Sequence, residues 1–419
     1  MFEIARRTLL ALAATLLMTP AAVVPSWAAD PIKVGFSMSL TGPGAPAGKQ
    51  ILVALEIWRD DVNAKGGLLG RPVEMIYYDD QSNPANVPGI YAKLLSVDKV
   101  DLLVGPYSTN MTAAAMPAII QQKKTTISLL AIGVSDKFNY PGYFSMVPVG
   151  PDGVRAFSQG YFELAAAQNP KPKTVAIVAA DSEFARTAAD GARENAKALG
   201  FNIIYDKTYP PSTTDFAPVI RAVQASNADV VFVAAYPVDT VGIVRSTNEI
   251  GYTPKMFGGA LIGLLVTPIK VQLGPLMNGI VIMESFVPAP TFNFPGLREL
   301  LTKYREKAKG QQIDPFGYGF TPFAYAAGQV LATAVTETKS LDHQALAKYI
   351  HEHKFKTVVG ELEFNKSGEW SKPRTVFTQF RNVQAGNLEQ FGSDAKQIVV
   401  WPKEHQTGNM IYPYAEAKK

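Results

Sequence analysis

From residue 31 onward the chain alternates short apolar runs with stretches of helical periodicity. IKVGFSM (32–38) has the β-branched and aromatic content of a strand, and 49–64 repeats its apolar residues at helical spacing up to a stop at Gly66 and Gly67. RPVEMIYYDD (71–80), VDLLVG (100–105) and TTISLLA (125–131) read as further strands, separated by helices over 84–97 and 111–122. Apolar throughout, such strands are buried on both faces, which predicts a parallel sheet clothed by helices. The pattern then restarts. KTVAIVAAD (173–181), FNIIYDKTYP (201–210), ADVVFVAAYP (228–237) and PKMFGGA (254–260) are strands, with helices over 184–199, 216–225 and 240–250 between them. VDLLVGPYS and ADVVFVAAYP hold the same place in each half. The fold class predicted is α/β, with two doubly wound parallel-sheet lobes.

The break between lobes falls at 143–153, where Pro148, Pro151 and two glycines interrupt the periodicity. Beyond Gly279, GIVIMESFVPAP predicts a strand running into a proline-rich break, then helices over 295–309, 320–338 and 343–353. GELEFNKSGEW (360–370) and RTVFTQFRNVQAG (374–386) read as a β-meander turning at Asn-Lys-Ser-Gly.

The amino terminus changes the picture of where the chain works. Arg6 and Arg7 precede an apolar core, TLLALAATLLM, and Ser26-Trp27-Ala28 offers the small residues a signal peptidase reads. That core is too short for a membrane anchor, so residues 1–28 are expected to be a cleaved signal peptide. The chain has no cysteine, hence no disulfide and no lipidated thiol to tether it. A periplasmic protein free of membrane insertion is the expectation. At 47% apolar and 18% charged residues, with a net charge of +4, the composition is that of a packed globule. So weak a charge gives no footprint for nucleic acid.

A glycine-rich loop between a strand and a helix, SLTGPGAPAGKQ (39–50), raises the question of a phosphate cradle. Its glycines, Gly42, Gly44 and Gly48, miss the dinucleotide spacing, and Pro43 and Pro46 have no N–H to donate. The Walker pattern fails as well, because Gln50 cannot supply the hydroxyl that holds magnesium. Asp79 or Asp80 could mimic a ribose-binding acid, but the loop is better read as a neutral wall at the carboxyl edge of the sheet. His351 and His353 lie two apart and face different ways on a helix, so they make no metal pair. With no G-x-S-x-G elbow and no other reactive constellation, the chain reads as a binder and not an enzyme, needing no cofactor and no metal.

The stretches IKVGFSMSLTGPGAPAGKQ, DVNAKGGLLGRPVEMIYYDDQSNP, VGPYST, ISLLA, VVGELEFNKSGEW and IVVWPKE resemble the type I periplasmic solute-binding proteins, specifically the branched-chain amino-acid-binding (Leu/Ile/Val-binding) group that serves ABC importers. The resemblance implies an interlobe ligand cleft and a three-segment hinge. One lobe would comprise 30–146 plus 282–355, the other 147–281 plus 356–419. It implies a monomer that hands a small-molecule organic acid or amino acid to an inner-membrane ABC permease. A sensory protein presenting its ligand-bound form to a membrane receptor is the alternative of another class.

By the same resemblance, Thr109 with Ser108 beside it would hold a solute carboxylate, at a helix start that itself favours anions. Ala131, Ile132, and Ala260 or Leu261 stand where relatives hold the solute ammonium with a carbonyl, a hydroxyl and an acid. Here the hydroxyl and the acid are missing unless Asp181 supplies one. Burying an ammonium without acceptors costs several kcal/mol, which disfavours an α-amino acid. Phe184 and Tyr236 would close aromatic rings over the solute and Tyr107 would line the first lobe, while Ile262 reads as core. Together they fit a carboxylate with an apolar or aromatic body.

Overall fold

A computed structural model describes residues 30–419, so the expected signal peptide at 1–28 lies outside the described residues. The first lobe carries five strands, β1 (Ile32–Met38), β2 (Val73–Asp79), β3 (Leu102–Tyr107), β4 (Thr126–Leu129) and β5 (Tyr143–Ser145), all parallel, in the order β2-β1-β3-β4-β5. The second sheet comprises β6 (Thr174–Ala180), β7 (Asn202–Tyr209), β8 (Val230–Ala235), β9 (Met256–Leu261) and β10 (Val281–Glu284) in the equivalent order β7-β6-β8-β9-β10. A hairpin of β11 (Lys354–Thr357) and β12 (Gly360–Glu363) stands apart. β13 (Val376–Phe380) and β14 (Gln397–Trp401) then extend the second sheet antiparallel beyond β10.

Every residue of β3 and β8 is buried, as their unbroken apolar sequences require. Helices Ala45–Ala64 and Thr321–Thr338 pack together against the first sheet, and Val87–Ser96 and Thr109–Gln121 form a separate apolar cluster with Leu103 and Tyr143. In the second lobe Gly153–Ala166 packs on Glu183–Ala198. The first helix ends at Gly66 and Gly67. A Cβ on Gly67 would lie 1.9 Å from the Arg71 carbonyl oxygen, and its φ of 76° excludes a larger residue without strain.

Four expectations are corrected. The supposed meander is divided. The Asn365–Gly368 turn closes a bridge between Phe364 and Trp370, but Val376–Phe380 crosses over to pair with β10. Val281–Glu284 belongs to the second sheet, so the lobe boundary at 282 moves past Glu284. Hairpin β11–β12 packs on helix Thr321–Thr338 of the first lobe, so the boundary at 356 moves past it also. Tyr143–Ser145, read as part of the break, is an edge strand of the first sheet.

The crossovers run side by side. Arg374 N–H donates to the Pro148 carbonyl (2.7 Å), and Ser145 N–H donates to the Gly368 carbonyl (2.9 Å). Gly368 has a φ of 79°, and a Cβ there would sit 1.9 Å from Tyr143 O, so the crossover lies directly on the edge of β5. Glu369 follows, buried, with one oxygen accepting from Ser135 Oγ (2.6 Å) and the other unpartnered. Burial raises its carboxyl to about 7, against the stabilising Ser135 bond. The second lobe buries a different set. Lys270 Nζ donates to Gln397 Oε1 (2.8 Å) and lies 3.7 Å from Glu284 Oε1, while Gln397 Nε2 donates to Glu284. Burial lowers the Lys270 amine and raises Glu284 to about 7.

Candidate functional site: the interlobe cleft

Two chambers lie between the lobes, at the carboxyl ends of the strands where open α/β sheets bind ligands. The outer holds about 620 Å³ and the inner about 40 Å³. Tyr107, Ser108 and Tyr236 line both and form the partition.

The first-lobe wall is built by the turn after β3. Ser108 N–H donates to Leu129 O (3.1 Å), and its φ of 78° with ψ of 158° is a backbone state that non-glycine residues avoid. Holding it costs on the order of 1–3 kcal/mol. Helix Thr109–Gln121 starts at once, so the N–H groups of Thr109, Asn110 and Met111 have no intrahelical acceptor and the positive end of the helix faces the cleft.

The second-lobe wall is aromatic. Phe184 packs against Tyr236 with ring centroids 5.4 Å apart and edge-on against Phe157 at 5.5 Å, while Tyr107 meets Phe320 edge-on at 5.6 Å. Burial raises the Tyr107 and Tyr236 phenols well above their ordinary range, so both stay protonated as donors. The Tyr236 hydroxyl and Ser182 Oγ are buried without a hydrogen-bond partner, two polar atoms beside the cleft.

Three carboxylates stand at the outer chamber, and two of them are paired with cations. Asp181 accepts from Arg186 (2.6 Å), Glu183 from Lys137 of the other lobe (2.7 Å), and Asp239 from the Tyr209 hydroxyl (3.0 Å). Burial holds the Asp239 carboxyl above its usual value, against the Tyr209 bond.

Five residues singled out from sequence, Tyr107, Ser108, Ile132, Phe184 and Tyr236, line the chambers. Thr109 does not. Its Oγ1 accepts from Ile132 N–H (3.0 Å), tying one wall turn to the next. The Ala131 carbonyl accepts from Ser145 Oγ (3.1 Å), and its side chain sits in the cluster with Val134 and Tyr143. Ala260 and Leu261 are buried within β9, and the wall is instead made by Ile262, read as core, and Leu265 on the turn that follows. Phe157, Phe320, Asn110 and Arg186 also reach the cleft and were missed. Phe157 and Phe320 arrive from the middle of a hydrophobic helix and from a helix start far along the chain, with no local signal. Asn110, directly after the hydroxyl pair of a helix start, carried a legible one.

The loop at 39–44 supplies Ser39, Pro43 and Gly44 to the outer wall. Asp79 accepts from Leu40 N–H (2.9 Å), Thr41 N–H (3.2 Å) and Thr41 Oγ1 (2.6 Å), and Asp80 from Ser37 Oγ (3.1 Å) and Ser39 Oγ (2.6 Å). Burial raises Asp80; at Asp79 the hydrogen bonds outweigh burial and lower it. Both carboxylates thus hold the loop and leave none free for a ribose.

The sequence model described as "Periplasmic binding protein" matches residues 31–379. The Leu/Ile/Val-binding protein homolog 7 of Brucella abortus (strain 2308) is 26% identical over 325 residues, covering 75% of this chain and 79% of its own length. The fold is shared with the branched-chain amino-acid substrate-binding protein LivJ of Streptococcus pneumoniae in complex with isoleucine. That structure is 21% identical, with a TM-score of 0.71 over 85% of this chain and 98% of its own. An R. palustris ABC-transporter solute-binding protein in complex with 4-hydroxybenzoate is 20% identical, with a TM-score of 0.72 over 85% and 95%. No helix of the described residues is long and apolar enough to cross a membrane. On the match of its sequence along most of its length, with two lobes around a cleft, this chain belongs to the periplasmic binding protein family.

Proposed function

We propose that this protein captures a small organic acid with an apolar or aromatic body in the periplasm and delivers it, as a monomer, to an inner-membrane ABC permease. One observation supports the acid above all. Among the described residues no carboxylate lines the inner chamber, and at the outer one Asp181 and Glu183 are paired with the cations of Arg186 and Lys137, while Asp239 is buried and accepts from the Tyr209 hydroxyl. An α-ammonium in the inner chamber would find no carboxylate to pair with, whereas a carboxylate finds the open N–H groups of the helix start at Ser108. The aromatic rings of Phe184, Tyr236 and Tyr107 suit an apolar body. The bound solute bridges both lobes, so binding favours the closed form that a permease would recognise.

The test is a thermal-shift comparison of matched pairs: 4-methylpentanoate beside leucine, and 4-hydroxybenzoate beside tyrosine. A ligand that binds the folded state raises the melting temperature by mass action. Stabilisation by the acids and not by their amino counterparts supports the reading; stabilisation by leucine alone overturns it.

A further inference from the structure

The lobes touch at the first turn of helix Glu183–Ala198, and the contact has an unusual form. Ser182 stands at the N-cap position with extended dihedrals (φ −140°, ψ 157°), the geometry in which serine ordinarily accepts from an N–H of the first turn. It does not do so. Phe184 N–H donates instead to Asn110 Oδ1 of the other lobe (3.0 Å), and Ser182 Oγ is buried with no partner. One residue earlier in the helix, Glu183 accepts from Lys137 across the same gap. Leaving a buried hydroxyl unpaired is costly, so the arrangement has to be offset by what the closed form gains.

We propose that closure exchanges the cap of this helix. With the lobes apart, Asn110 is withdrawn and Ser182 Oγ turns to accept from the first-turn N–H groups, satisfying both partners. When the lobes close, Asn110 takes Phe184 N–H and Ser182 is released. Ser182 therefore stabilises the open form and Asn110 the closed one, and the two residues set the resting open–closed ratio and through it the ligand affinity. The inference goes beyond the binding reading and rests on it only for the view that the lobes move; it requires no particular ligand.

The absence of cysteine allows a clean measurement. Ala85 and Lys207, exposed residues on opposite lobes, are replaced by cysteine and spin-labelled, and the interlobe distance distribution of the ligand-free full chain is recorded by double electron–electron resonance. Asn110→Ala shifts the distribution toward long distances and Ser182→Ala toward short ones, each changing the open–closed ratio by about fivefold, the usual effect of an N-cap. Opposite signs from two alanine substitutions separate the exchange from general loosening. Shifts of the same sign, or no shift in either variant, overturn it. Because no ligand is present, this outcome is independent of the thermal-shift screen. An acid that binds while the distances stay fixed leaves the binding reading standing and removes the cap exchange.

Discussion

The two lobes share a strand order and diverge in what meets the cleft. After β3 the first lobe offers a strained serine and a helix start with open N–H groups. After β8, at the equivalent place, the second lobe offers Tyr236 followed by Pro237, whose ring removes one of the donors. One copy of the plan thus presents open backbone donors and the other an aromatic ring. The divergence extends to the interior, where each lobe buries a carboxyl whose proton affinity burial raises, in a different setting: Glu284 beside a lysine, Glu369 beside a serine hydroxyl. Repeating a fold preserves where a ligand can sit and leaves each turn free to specialise.

The sharpest way to break this comparison is to remove the charge from the second lobe. Lys270→Met strands Glu284 in the interior and is expected to lower stability by roughly 3–5 kcal/mol in urea unfolding. Adding Glu284→Gln to it should recover most of the loss.

The first lobe's carboxyl is probed by pH. The folded-state value of Glu369, about 7, lies above the 4.5 of an unperturbed glutamate, so the native state binds the proton more tightly than the unfolded one. Its contribution to stability is therefore present at low pH and lost as pH rises from about 4.5 through 7. Glu369→Gln keeps the acceptor for Ser135 and should gain on the order of 2 kcal/mol over wild type at pH 8, with little difference at pH 4. Equal melting temperatures at both ends of that range would remove Glu369 from the account.

The turn after β3 separates structure from binding. Thr109→Ala leaves Ile132 N–H without its acceptor and should cost about 1–2 kcal/mol of stability, with a smaller change in 4-hydroxybenzoate affinity by calorimetry. Ser108→Gly relieves the strained dihedral and should raise stability by about 1 kcal/mol while weakening the same acid, since a hydroxyl is lost from the wall. If both properties fall together, the serine is held for packing and not for the ligand.

The lobes were legible in the sequence because strands such as VVFVAA are buried on both faces and read as continuous apolar runs. The walls were half legible. Ser108 and Tyr236 follow strand ends, where topology dictates exposure to the cleft, and so could be placed from the sequence. Thr109 carried the right chemistry and the wrong direction, because a neighbouring turn needed its oxygen more than the cleft did. Strand membership beyond Gly279 was hidden for another reason. β10, β13 and the hairpin between them are four or five residues long, and pairing across nearly a hundred residues leaves no local periodicity.

The bond from Arg374 N–H to the Pro148 carbonyl joins two crossover strands that could otherwise have flexed separately. A shared backbone bond ties the two crossovers at that level, so bending one strains the other.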